Sequence, residues 1–105
     1  MEDDKPTNGQ FETESDTSLA TKEPDRYTVI LHNDHYSTMD FVIKVLVEIF
    51  HKPAAEATRI MLDVHRIGRG IVGSYTYDIA VTKVAQVEAL AKAYGFPLLA
   101  TFEKQ

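Results

Sequence analysis

The chain has 105 residues, room for one domain, and its formal charge of −5 is unevenly spread: residues 1–25 carry eight acids and two lysines, residues 26–105 eight acids and nine bases. The near-neutral body lacks the basic stripe of a nucleic-acid binder, and no run approaches the roughly 18 apolar residues of a membrane span. With no cysteine there is no disulfide, thiolate metal site or cysteine nucleophile, and an acidic N-terminus suits neither a secretory signal nor a transit peptide, so the expectation is a cytoplasmic protein.

Residues 1–25 offer only Met1, Phe11, Leu19 and Ala20 as apolar side chains. Such a segment buries too little surface to offset its ordering entropy, and a disordered acidic extension is predicted there, with a single core over residues 26–105. Arg26–His32 is rich in β-formers and reads as a strand that Asn33 and Asp34 stop. Ser37-Thr38-Met39-Asp40 matches a Ser-x-x-acid helix start with Ser37 as N-cap. Met39, Val42, Ile43, Leu46, Ile49 and Phe50 then recur at helical spacing, with Asp40 and Lys44 paired on the outer face.

A second helix is expected from Pro53 at its first position to Arg66, with Ala57, Ile60, Met61 and Val64 inward and Arg59 and Asp63 outward. Gly68 and Gly70 interrupt it, and residues 71–77 read as a strand. Thr76 or Asp78 opens a third helix, whose inner face holds Ala80, Val84, Val87, Leu90 and Tyr94 and which Gly95 and Pro97 end. Residues 98–102 supply a last strand. The order β-α-α-β-α-β, with short connections, predicts an α+β fold in which helices cover one face of a three-stranded antiparallel sheet.

Several motifs invite chemistry. Gly68-x-Gly70-x-x-Gly73 spells the dinucleotide fingerprint, but that motif works between a strand and a following helix, and here a helix precedes and a strand follows. The three glycines fit a helix-to-strand turn better. Ser37, His65 and Asp34 include the residue types of a hydrolase triad, without a nucleophile elbow around the serine. His32, His35 and His65 could serve a small metal- or ligand-binding enzyme, although strand alternation separates His32 from its neighbours and no cysteine joins them. No metal or cofactor is expected on that ground.

Asn33, Asp34 and His65, with Met39 and Met61, form the best-motivated cluster. His65 lies four residues after Met61 and borders the apolar face of the second helix. If the first two helices pack together, the loop acceptors and His65 converge at the mouth of a Met-lined cavity suited to a cationic head on an apolar body. Ordinary turn chemistry at Asn33-Asp34 and core packing by the methionines account equally well for the same pattern.

The stretches YTVILHND (27–34), YSTMDFV (36–42), ATRIMLDVH (57–65), AVTKVA (80–85) and PLLATFEK (97–104) resemble the ClpS adaptor family, in order and over essentially all of residues 26–104. The resemblance implies the α+β fold of the ribosomal stalk protein's C-terminal domain. It also implies a non-enzymatic adaptor that captures proteins with an N-terminal Leu, Phe, Tyr or Trp and passes them to a ClpA-type AAA+ unfoldase and ClpP peptidase. No nucleic acid or membrane partner is implied.

Carried onto this chain, it assigns the substrate α-amino group to Asn33, Asp34 and His65. The side-chain pocket falls to Ser37, Met39, Val42, Ile43, Met61, Val64 and Leu98, with Met39 as a gate against β-branched residues. The unfoldase-facing surface falls to Asp78 and Lys83, by likeness to the family pattern at the start of the third helix. The family commonly has a second acid where this chain has His35, which makes His35 a modulator of amino-group recognition. Ser37 replaces the usual Thr.

Overall fold

Seven residues dominated by β-branched and aromatic side chains, Arg26–His32, form strand β1 at the centre of the sheet. The computed structural model describes residues 23–105, so the disordered extension expected over residues 1–25 lies, for residues 1–22, outside the described residues. After β1 come α1 (Met39–Glu48), α2 (Ala54–Ile67), β2 (Arg69–Thr76), α3 (Tyr77–Tyr94) and β3 (Leu99–Lys104), the expected order. Both neighbours of β1 run antiparallel to it, β2 from Arg26↔Thr76 to His32↔Arg69 and β3 from Tyr27↔Lys104 to His32↔Leu99.

Strand alternation sorts the two faces. Val29, Leu31, Val72 and Ala100 turn to the helices and join Leu46, Ile60, Val64 and Val87 in one buried cluster. Each large side chain so buried contributes about 1.5–3 kcal/mol. On the opposite face Ile30 is fully buried, in register between Ile71 and Thr101, and His32 Nε2 lies 2.7 Å from Thr101 Oγ1.

Several local expectations are corrected. The N-cap of α1 is Thr38, whose Oγ1 accepts the Phe41 N–H at 3.1 Å. Ser37 cannot serve there, because its N–H and hydroxyl are both drawn back to the Asp34 carboxylate. Lys44 pairs with Glu48 at 2.7 Å rather than with Asp40; from that side its ammonium also lies 5.5 Å from the centre of the Tyr94 ring, a cation–π contact. Pro53 is the N-cap of α2, one residue outside the helix.

Arg59 and Asp63, on the outer side of α2 as expected, form an ion pair at 3.3 Å, and Glu56 approaches Arg59 equally closely. β2 begins two residues before the expected strand, and β3 spans Leu99–Lys104 rather than residues 98–102. Tyr94 is about half exposed (52%), since the buried stripe of α3 runs through Ala80, Val87 and Ala91 and leaves the tyrosine at its edge, tilted against Phe41.

The link from α2 to β2 positions the site. Gly68 ends α2 with φ +103°, a left-handed conformation that costs other residues about 1–2 kcal/mol. At Gly70 a Cβ would stand 2.8 Å from Val64 Cγ2 and 2.9 Å from the Ile60 carbonyl oxygen, so β2 passes α2 too closely for any side chain. Of the three glycines expected in a helix-to-strand turn, Gly68 alone makes it; Gly70 and Gly73 lie within β2.

Candidate functional site

The segment after β1 is held by its own acid. Asp34 Oδ1 accepts the N–H groups of Tyr36 (2.7 Å) and Ser37 (2.6 Å), and Oδ2 accepts the Ser37 hydroxyl at 2.7 Å. Partial burial pushes the carboxyl pKa up, but the Ser37 N–H and hydroxyl, the Tyr36 N–H and the charge of His35 outweigh it and hold Asp34 below the ordinary carboxylate value. The group is therefore ionised at neutral pH. A carboxylate has roughly four acceptor positions; three are filled within the loop, and one on Oδ2 remains.

Tertiary structure brings this loop to the end of α2. The Asn33 backbone N–H donates to the Gly68 carbonyl at 3.0 Å, stitching the end of β1 to the helix C-cap. His65 lies in the last turn of α2, half-buried, with Nδ1 3.1 Å from the Met61 carbonyl oxygen. A carbonyl only accepts, so Nδ1 carries the proton and Nε2 of the neutral ring is left as an acceptor. Asn33, Asp34 and His65 thus belong to one end of the sheet, two of them with a defined spare acceptor.

Beneath them α1 packs on α2. Val42, Met61, Val64 and Leu98 are buried members of the common cluster, Ile43 packs against it, and Ser37 is buried beside Asp34. Met39 differs: as the first residue of α1 it is half exposed, where a flexible thioether can swing. The sequence does not single out Thr38, because two overlapping cap patterns occupy residues 37–41 and the acid at Asp40 favours Ser37. Choosing between them required knowing that Asp34 claims Ser37.

The other candidate arrangements are not assembled. Ser37 donates its hydroxyl to Asp34, so that acid orients the serine directly and no histidine stands between them as a triad requires. His32 is engaged with Thr101 on the sheet face away from the helices. Among the described residues no group of three or more His, Asp or Glu side chains is placed to hold a metal ion, and no helix is long and apolar enough to cross a membrane.

At the start of α3, Asp78 is exposed in the first turn. Lys83 is partly buried and donates its ammonium to the Ile49 carbonyl at 2.6 Å. It closes the C-terminus of α1, whose own last turn contains no basic residue.

Comparison with known proteins agrees with this architecture. Residues 22–101 match the family model described as ATP-dependent Clp protease adaptor protein ClpS. The ATP-dependent Clp protease adapter protein ClpS of Syntrophus aciditrophicus is 62% identical over 82 residues, 78% of this chain and 77% of that one. Its namesake from Acetivibrio thermocellus is 57% identical over 90 residues, 86% and 91% of the two chains. The structure of Agrobacterium tumefaciens ClpS2 bound to L-phenylalaninamide superposes with a TM-score of 0.76 at 37% identity, covering 79% of this chain and all of that one. By sequence and by fold, the chain belongs to the ClpS family of ATP-dependent Clp protease adaptors.

Proposed function

We propose that this protein captures substrates through a destabilising N-terminal Leu, Phe, Tyr or Trp and delivers them to a ClpA-type unfoldase with ClpP in the cytoplasm. The observation that supports this reading is that Asp34 Oδ2 and His65 Nε2 each keep a spare acceptor in segments tied together by the Asn33–Gly68 bond, with His65 next to Val64 of the buried apolar cluster. L-phenylalaninamide, the ligand of the Agrobacterium relative, has the matching chemistry: an ammonium with three donors on an aromatic body. Asn33 supplies the third acceptor, and Ser37, Met39, Val42, Ile43, Met61, Val64 and Leu98 receive the side chain.

The adaptor is not an enzyme. Residues 26–105 form its working body and the acidic segment before them its extension. Asp78 and Lys83 contribute to the surface offered to the unfoldase, with Lys83 also fixing α1 against α3. Titration with phenylalaninamide and its N-acetyl derivative tests the reading. The free amine should bind; the acetamide, which cannot satisfy three acceptors, should lose binding altogether. Equal affinity for the two would reject amino-terminal capture.

A further inference from the structure

Where the start of α1 meets the end of α3 there is a cavity of about 190 Å³, lined by Thr38, Asp40, Phe41, Lys44, Tyr94 and Phe96. None of these six side chains belongs to the set that receives a substrate's amino terminus. Three of them are aromatic. The buried Phe41 ring lies 5.3 Å from the ring of Tyr94, tilted by 41°, and 4.8 Å from that of Phe96, tilted by 44°. Aromatic faces carry negative charge density, so three rings around one space favour a positive guest.

The charged groups of the lining point the same way. Asp40 is exposed, and among the described residues no lysine, arginine or histidine lies within ion-pair distance of its carboxylate. Lys44 is the one cation of the lining, and Glu48, outside the cavity, offsets its charge from 2.7 Å. With Lys44 neutralised, the carboxylate of Asp40 sets the sign of the site. The Lys44 ammonium also lies 5.5 Å from the centre of the Tyr94 ring, so this ring already accepts a cation at close range.

We propose that this cavity receives the guanidinium of an arginine side chain presented by a partner protein. A guanidinium is planar and weakly hydrated, stacks on aromatic faces, and meets a carboxylate with two parallel N–H···O bonds. An ammonium is a strongly hydrated point charge and gains less from the same walls. The space equals the liquid volume of about six waters, room for the guanidinium and its methylene stem while the backbone stays outside. In so open a place the ring contact is worth about two- to fivefold in affinity and the carboxylate up to about fivefold.

The test titrates the full chain with N-acetyl-argininamide and follows the ring protons of Phe41, Tyr94 and Phe96 by NMR. The acetyl cap keeps this probe out of the amino-terminal site, so the outcome is independent of the function proposed above. Saturable shifts of the three rings are expected, with N-acetyl-lysinamide binding about twofold or more weakly and the neutral N-acetyl-citrullinamide leaving the rings unmoved. Tyr94→Leu should weaken the arginine probe about two- to fivefold and Asp40→Asn up to about fivefold. Tyr94→Phe should keep its affinity, and Lys44→Gln, which removes the resident cation, should raise it. Phenylalaninamide affinity should be unchanged in all four variants. Absence of saturable shifts, equal shifts with the citrulline compound, or full affinity in both Tyr94→Leu and Asp40→Asn would overturn the proposal. Ring shifts that follow protein concentration without any probe would seat a second copy of this chain in the cavity and overturn the partner assigned to it.

Discussion

Replacing Gly70 with alanine tests whether the close crossing of β2 over α2 holds the site together. The new Cβ would stand 2.8 Å from Val64 Cγ2, 2.9 Å from the Ile60 carbonyl oxygen and 3.0 Å from Ile60 Cγ2. Carbon atoms in good contact are about 3.5–4.0 Å apart, so the overlap is several tenths of an ångström on three sides. One neighbour is backbone inside α2 and cannot rotate away, so relief requires the helix to move as a body. Overpacking of this kind costs about 1–3 kcal/mol. At roughly 4–8 °C per kcal/mol for a domain of this size, Gly70→Ala should melt about 5–20 °C below the parent.

Moving α2 also displaces Val64 and His65, so phenylalaninamide affinity should fall with stability. Gly73→Ala is the control: its nearest neighbours, from 3.1 Å, are atoms of the Tyr75 side chain alone, which can swing. Thermal melts of the two variants, with ligand titration at a temperature where both are folded, decide the matter. Equal melting temperatures would refute the argument that backbone proximity at Gly70 sets the position of α2.

Shortening the half-exposed Met39 to alanine should raise the affinity of Ile- and Val-initiated peptides relative to Leu by about fivefold, the value of one accommodated methyl group; a uniform loss across the series would make Met39 a wall rather than a gate. Because Nδ1 of His65 is committed to the Met61 carbonyl, Nε2 is the acceptor it offers to the ammonium. His65→Ala, which removes that acceptor, should therefore weaken phenylalaninamide binding by about tenfold or more in an isothermal titration; unchanged affinity would show that the ring takes no part in capture. Asp34, with its folded pKa lowered, contributes stability that is present above the unfolded carboxyl value of about 3.9 and lost as pH falls through the folded value. Asp34→Asn keeps an oxygen for the Tyr36 and Ser37 N–H groups, so acid melts of this variant should lose less stability below about pH 4 than the parent; an unchanged acid slope would show that the carboxylate charge does not stabilise the loop.

What sequence alone determined here is what depends on neighbours along the chain. Hydrophobic periodicity set the six elements, the left-handed residues at Gly68 and Gly95 ended two helices, and the helix-before-strand context of Gly68–Gly73 ruled out a phosphate loop, because each is governed by local sterics or by one turn of backbone. The family motifs also named Asn33, Asp34 and His65. Tertiary structure decided how those residues are prepared. The Asp34 carboxylate had two nearby claims on serine and threonine donors, and the folded loop awarded it Ser37, which left Thr38 to cap α1. Lys44 had acids four residues away on either side, and the ring of Tyr94, fifty positions along the chain, lies where it chose Glu48. Lys83 reads from sequence as a surface charge, yet it caps a helix 34 residues distant. Local patterns leave such choices degenerate within a few tenths of a kcal/mol, and only contacts between segments far apart in the chain break the tie.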